Sequence, residues 1–187
     1  MTTAPKQADG AARHEPWFAR RAPVRRPLIR EALGRHEQVG WNEDSMSVEE
    51  NKALIRRLYD EVFAKWNLGV VDELVGSEFV GHEMPPRTPR GPVGFKQFYD
   101  SLRLAFPDLR YTVDDVIAEG DRVVVRWTWR CTHQGDFMGV AATGKRATVT
   151  GMAIYRVAGG KCVERWVELS LLGLLQQLGA VPTPGAA

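Results

Sequence analysis

Between residues 48 and 66 the apolar positions Leu54, Ile55, Leu58, Tyr59, Val62, Phe63 and Trp66 recur at three- and four-residue spacing. Arg56, Arg57, Asp60, Glu61 and Lys65 fill the opposite side, which predicts an amphipathic helix of about five turns. Ser47 and Glu50 stand where a capping box would start it. Residues 70–74 read as a short second helix, and the prolines and glycines of 85–92 as a loop. A third helix follows over 93–106, with Phe95, Phe98, Tyr99, Leu102 and Phe106 turned inward and Pro107 ending it. The period then changes from 3.6 to 2. Segments 110–117, 122–133, 147–157 and 161–169 read as strands, separated by a turn at 119–121, a glycine-rich connection over 134–146 and a tight turn at 158–160. Helices first and a meander of long antiparallel strands afterwards predict an α+β fold, with the helices packed on one face of a curved sheet.

The strand over 122–133 sorts cleanly. Val123, Val125, Trp127, Trp129, Cys131 and His133 share one face, and Arg122, Arg126, Thr128, Arg130 and Thr132 the other, with Val124 the exception. The last strand does not. One face carries Val163, Arg165, Val167 and Leu169, the other Glu164, Trp166, Glu168 and Ser170, so both have apolar groups and period alone leaves their direction open. A carboxylate held against an aromatic wall has its charged form desolvated, which makes Glu164 and Glu168 acid–base candidates if their face looks into a cavity. A solvated or dimer-forming face is the plain alternative. His133, at the end of its strand, reads as a rim histidine or a pocket base. His82 reads as a residue of a pocket edge, between Phe79-Val80 and the proline loop.

Charge narrows the class of partner. The net charge is +2, with eight basic and six acidic residues in positions 1–45, which leaves 17 of each in the remainder. A neutral globular part suits an uncharged or weakly acidic small molecule, and nothing points to nucleic acid. No apolar run of about 18 residues reads as a membrane span. No apolar stretch follows the N-terminal arginines, so a cytoplasmic protein is expected. Residues 1–45, rich in Pro, Arg, Ala and Gly, are expected to be a disordered tail or a non-native extension, with Met46 as an alternative start. The folded domain is expected over 46–181, and 182–187 as a flexible end. Cys131 and Cys162 lie in strand-like runs and read as small buried hydrophobes rather than a disulfide. The four histidines have no metal-ligand spacing, and there is no phosphate loop or nucleophile elbow.

Motifs spread over the whole domain complete the picture. They are Phe79-Val80-Gly81-His82, Phe106-Pro107-Asp108-Leu109, Ala118-Glu119-Gly120-Asp121-Arg122-Val123 and Thr132-His133-Gln134-Gly135-Asp136-Phe137-Met138-Gly139. Thr143-Gly144-Lys145, Tyr155-Arg156, and Glu164-Arg165-Trp166 followed by Leu172-Gly173-Leu174-Leu175-Gln176-Gln177-Leu178-Gly179 continue the series. In this order and spacing, residues 50–181 resemble the SnoaL-like polyketide cyclase, or ester cyclase, family. The resemblance implies a nuclear-transport-factor-2-like cone, a curved antiparallel sheet around N-terminal helices with an internal apolar pocket. It implies a protein that usually dimerises, and an aldol-type ring closure of a polyketide-like, carbonyl-bearing substrate with neither metal nor cofactor. A non-catalytic binding protein and a cofactor-free monooxygenase on the same fold are the alternatives.

One departure stands out. The family usually carries an acid/base aspartate four residues beyond the tryptophan, and here that position is Ser170. Glu168, two residues earlier on the same face, is therefore expected to move the proton, with His82 and His133 as hydrogen-bonding or relay partners. Tyr59, Trp66 and Phe98 of the helices are expected to touch substrate. So are Trp127, Trp129, Met152, Glu164, Trp166 and Ser170 of the strands, with Trp127 and Trp166 as walls.

Overall fold

The structure is a computed structural model, and it describes residues 46–183. The expectations for 1–45 and for 184–187 lie outside the described residues. The first helix, α1 (Val48–Arg57), begins as expected: the Ser47 side chain accepts from the Glu50 amide while the Glu50 carboxylate accepts from the Ser47 amide. It does not run to residue 66 as a regular helix. From Leu58 to Phe63 it widens into a π-helix, and the chain leaves it at Trp66 with φ 56°. Leu58, Tyr59, Val62 and Phe63 are all buried along it. A 3₁₀ turn (Leu68–Val70) leads into α2 (Val71–Leu74).

Residues 75–81, which carry no clear period, form strand β1 (Val75–Gly81). After the proline loop come α3 (Gly91–Ala105), β2 (Arg110–Glu119), β3 (Arg122–Thr132), β4 (Arg146–Ala158), β5 (Lys161–Leu169) and α4 (Leu171–Leu178), which Gly179 closes in the left-handed conformation. The sheet order is β1-β5-β4-β3-β2. The expected antiparallel meander holds for β2 to β5, but β1 joins β5 in parallel, so the sheet is mixed. A β1 on the far edge is what positions the segment after it, because the His82 amide still donates to the Arg165 carbonyl (2.9 Å) before the chain turns away.

Register shifts in β1–β5, β2–β3 and β4–β5 break the ladders, and such irregularities bend a sheet. The concave face holds the core: Val123, Val125, Trp127, Trp129, Cys131 of β3 and Ala147, Val149, Ala153, Tyr155, Val157 of β4 pack beneath Ile55, Leu58, Phe63 and Phe95. Both cysteines are buried and free, with burial raising the Cys131 thiol to about 11 and the Cys162 thiol to about 12. Beyond the end of β5, Gln177 of α4 takes the place of a neighbouring strand. Its amide accepts from the Thr148 N–H (2.9 Å) and donates to the Thr148 carbonyl (3.0 Å). No helix among the described residues is long and apolar enough to cross a membrane.

The start of α3 is pressed against the proline loop. A Cβ at Gly94 would sit 1.7 Å from the Pro89 carbonyl oxygen, a backbone atom that cannot step aside. Gly94→Ala is therefore expected to destabilise the fold by about 1–3 kcal/mol, read from the urea unfolding midpoint.

Candidate active site

A cavity of about 700 Å³ opens between the helices and the concave sheet. Its walls are apolar: Phe63 from the π-helix, Phe98 and Leu102 from α3, Trp127 and Trp129 from β3, Val167 and Leu169 from β5, and Leu171 at the start of α4. Trp127 lies flat over β4 because its cross-strand partner is Gly151, where a Cβ would stand 2.4 Å from the indole. The loop after β3 closes one side. Its Asp136, Phe137 and Met138 line the cavity, and Phe137 rests edge-on against Phe106 at 4.9 Å.

The cavity also carries polar groups in its lining, Ser101 and Asp136 among them. All four tyrosines of the chain, Tyr59, Tyr99, Tyr111 and Tyr155, line it, together with Arg165 and Glu83. Arg165 is 1% exposed. Its Nε donates to Glu83 Oε1 (2.8 Å), Nη2 donates to the same oxygen, and Nη1 donates to the Tyr99 hydroxyl. Phe95 and Tyr99 lie 5.4 and 5.3 Å from the guanidinium carbon. Burial opposes the charge of Arg165, but the Tyr99 oxygen and the Glu83 carboxylate outweigh it and hold the guanidinium ionised, well above its ordinary range. Glu83 Oε2 is buried and has no hydrogen-bond partner among the described residues.

Burial pushes the Tyr99 phenol up to about 12, and drives Tyr59, Tyr111 and Tyr155 well above the ordinary range. All four are thus hydrogen-bond donors at neutral pH. The Tyr155 hydroxyl donates to that of Tyr59 (3.0 Å), and Tyr99 accepts from Arg165. Each acceptor keeps its own proton, so the Tyr59 and Tyr99 hydroxyls are free to donate to an oxygen in the cavity.

The sequence-derived candidates divide along the two sheet faces. Tyr59, Phe98, Trp127 and Trp129 line the cavity as expected. Glu164 and Trp166 do not. In the β4–β5 register Trp166 stands beside half-exposed Ile154, whereas Arg165 stands beside buried Tyr155, so the tryptophan face is the outer one. There Trp166 stacks on the His82 ring at 4.8 Å and 6°, under the Arg122 guanidinium at 5.0 Å. Glu164 binds His82 Nε2 (2.9 Å) and Arg156 Nε (2.8 Å), which hold its carboxyl below the usual range. His82 therefore belongs to the outer surface. Its neighbour Glu83, one step further along the turn, is the residue that faces in.

Glu168 borders the cavity, yet it is exposed and paired in register with exposed Met152, which places its side chain on the outer face. Met152 is an outer residue for the same reason. Ser170 is exposed at the turn into α4 and Trp66 packs beneath Arg103 (5.5 Å), both away from the cavity. His133 is wholly buried rather than on a rim. It clasps the base of the β3–β4 loop, with Nδ1 accepting from the Thr143 amide at 3.3 Å and lying 3.1 Å from the Thr143 hydroxyl. Arg165, Glu83, Tyr99 and Tyr155 were not singled out from the sequence. One signal was present: Arg165 interrupts the apolar run Val163, Val167, Leu169, and an arginine there needs a buried partner.

Helices on a bent mixed sheet thus enclose a cavity that bears phenols and an arginine. Residues 53–178 match the family described as SnoaL-like polyketide cyclase, and the chain belongs to that family. The fold is the nuclear-transport-factor-2-like α+β fold of its members. TsrD from Streptomyces laurentii is 26% identical, with a TM-score of 0.67 over 73% of this chain and 99% of that one. IdmH from Streptomyces antibioticus, a candidate polyketide cyclase, is 34% identical, with a TM-score of 0.60 over 69% and 98%. AclR from Streptomyces galilaeus, a candidate hydroxylase, is 31% identical, with a TM-score of 0.63 over 73% and 85%. No curated protein matches.

Two measurements follow. Removing Arg165 alone, as Arg165→Met, leaves Glu83 as an unpaired carboxylate in an apolar wall and is expected to cost ~3–5 kcal/mol. The double change Arg165→Met with Glu83→Leu recovers most of that loss in urea unfolding. Second, the four phenols bind their protons more tightly in the folded than in the unfolded chain. Stability is therefore undiminished below the unfolded phenol value of about 10, and falls as pH rises from there through the folded values. Absorbance at 295 nm should show no tyrosinate at pH 10 until the protein is unfolded.

Proposed function

We propose that the protein is a cofactor-independent cyclase that closes a ring on a polyketide-like substrate by an intramolecular aldol step. The observation that carries this reading is the presence of a buried carboxylate and two free phenolic donors in one cavity with aromatic walls. Glu83 takes a proton from the carbon between two carbonyl groups. The enolate oxygen is met by the Tyr99 and Tyr59 hydroxyls, with Arg165 behind Tyr99 strengthening its donation. The enolate carbon attacks a second carbonyl of the same chain, a C–C bond forms, and the alkoxide recovers the proton from Glu83. No atom or electron is gained or lost. The aromatic walls exclude water and hold the chain folded on itself, a contribution that rivals the proton transfer. Glu83 occupies the role expected of Glu168, because Glu168 points to the outer face while Glu83 is held inside by Arg165.

AclR's description as a candidate hydroxylase favours a second reading, a monooxygenase acting on an enolate made by the same groups. The two share the first step and differ in whether dioxygen is consumed. The probe is a methyl ester bearing an unreduced 1,3-dicarbonyl chain, with deuterium uptake at its α-carbon followed by NMR in D₂O and products by mass spectrometry. Glu83→Gln, folded by far-UV circular dichroism, is expected to slow exchange and ring closure by about 10²-fold or more, and Tyr99→Phe by about tenfold. Glu168→Gln is expected to change neither. Unaltered exchange in Glu83→Gln would remove the assignment, and oxygen uptake coupled to turnover would select the hydroxylase.

A further inference from the structure

Of the four phenols that line the cavity, one has no task in the fold or in the reaction proposed above. Tyr155 donates to Tyr59 and Tyr99 accepts from Arg165, but the Tyr111 hydroxyl makes no hydrogen bond among the described residues. Its ring is held closely. Tyr111 stands at the start of β2, paired in register with Trp129 of β3. Trp129 and Trp127 meet the ring at 5.7 and 5.4 Å, Phe63 at 5.2 Å and Tyr59 at 5.9 Å. A phenylalanine would make the same contacts, because all of them run through the ring. Packing therefore gives no reason for the hydroxyl, and a polar group held in an aromatic wall without a partner works against the fold. The residue keeps accessible surface, and the cavity is the space it lines.

Its position says which oxygen it would meet. Phe63 lies 4.6 Å from Tyr99 and 5.2 Å from Tyr111, so one ring touches both phenols and a single folded chain bridges them. Tyr111 comes from the edge strand β2, whereas Glu83 and Arg165 stand at the β1–β5 side of the sheet. Ring closure needs two oxygens held at once, that of the enolate and that of the carbonyl it attacks. Tyr59 and Tyr99 take the first, and Tyr155 spends its proton on Tyr59. Tyr111 is the phenol left for the second.

We propose that Tyr111 is a further substrate-binding residue, whose hydroxyl donates to the electrophilic carbonyl oxygen and so selects chains with a ketone beyond the enolisable pair. Its place in the reaction rests on the cyclase reading given above. As the C–C bond forms, the π pair of that carbonyl moves onto its oxygen, and the Tyr111 hydrogen bond strengthens with the growing charge. The proton that Glu83 took returns to this alkoxide, and Tyr111 ends with its own proton. A chain with a methylene at that carbon leaves the Tyr111 donor unpaired, and a site built to hydrogen-bond an oxygen discriminates against such an analogue.

Two probes separate binding from chemistry: the methyl ester of a 1,3-dicarbonyl chain with a distal ketone, and its analogue with a methylene in place of that ketone. Binding is read from the fluorescence of the cavity tryptophans, and α-deuterium uptake and ring closure by NMR and mass spectrometry. The wild type is expected to bind the ketone probe about fivefold or more tightly than the methylene probe. Tyr111→Phe is expected to bind the two alike and to close the ring about tenfold more slowly. It should still take up deuterium in the methylene probe at the wild-type rate, and its urea midpoint should stand at or above that of the wild type. Equal binding of the two probes by the wild type, or a Tyr111→Phe variant that keeps the preference for the ketone, would overturn the proposal. So would a loss of methylene-probe exchange in Tyr111→Phe as large as its loss of ring closure. A ketone preference that depends on Tyr111, in a protein that exchanges neither probe, would uphold the Tyr111 contact and remove the enolising role of Glu83 instead.

Discussion

Arg165 is the constraint on which the rest of this structure depends. A guanidinium in the interior is tolerable only where its charge is matched and its donors are used, and the chain spends several elements on meeting that requirement. Glu83 comes from the turn after β1, Tyr99 from α3, and the Phe95 and Phe98 rings from the same helix lie over the guanidinium. The parallel pairing of β1 with β5 is what delivers Glu83 to the right height. Once Arg165 is anchored, the neighbouring backbone of β5 has no freedom to roll. Val167 and Leu169 must face the cavity, and Glu164, Trp166 and Glu168 must face away.

The same ion pair gives an apolar cavity its chemical direction. Most of the wall offers nothing but shape and exclusion of water. Against this wall stand a carboxylate, a buried cation and phenols locked in their protonated form. The π-helix contributes to this directly. Its residues Tyr59 and Phe63, four apart, both line the cavity.

His82 and Glu83 show how far neighbouring residues can diverge. The histidine stacks on an outer tryptophan and holds Glu164, whereas the glutamate turns in to Arg165. Ser170, where the family resemblance leads to the expectation of an aspartate, sits exposed at the strand–helix turn, away from the cavity. The two faces of β5 thus differ: Arg165 turns to the cavity, and Glu164 and Trp166 lie on the outer face.

The α+β class, the early helices, strands β2 to β5, the capping box at Ser47 and the apolar faces that hold Tyr59, Phe98, Trp127 and Trp129 were legible in the chain, because each follows from local period or a short-range hydrogen bond; β1 and α4 were not. The direction of the last strand was not. Alternation assigns residues to two faces but carries no sign, and here both faces hold large apolar groups. Only the pairing of β5 with β4, which sets Arg165 beside buried Tyr155 and Trp166 beside exposed Ile154, decides it. Nor does any local pattern announce that Glu83 and Arg165, separated by 82 positions, form an ion pair, since that contact exists only once β1 has docked on the far edge of the sheet. Sequence determined which residues share a face; tertiary structure decided which face is inside.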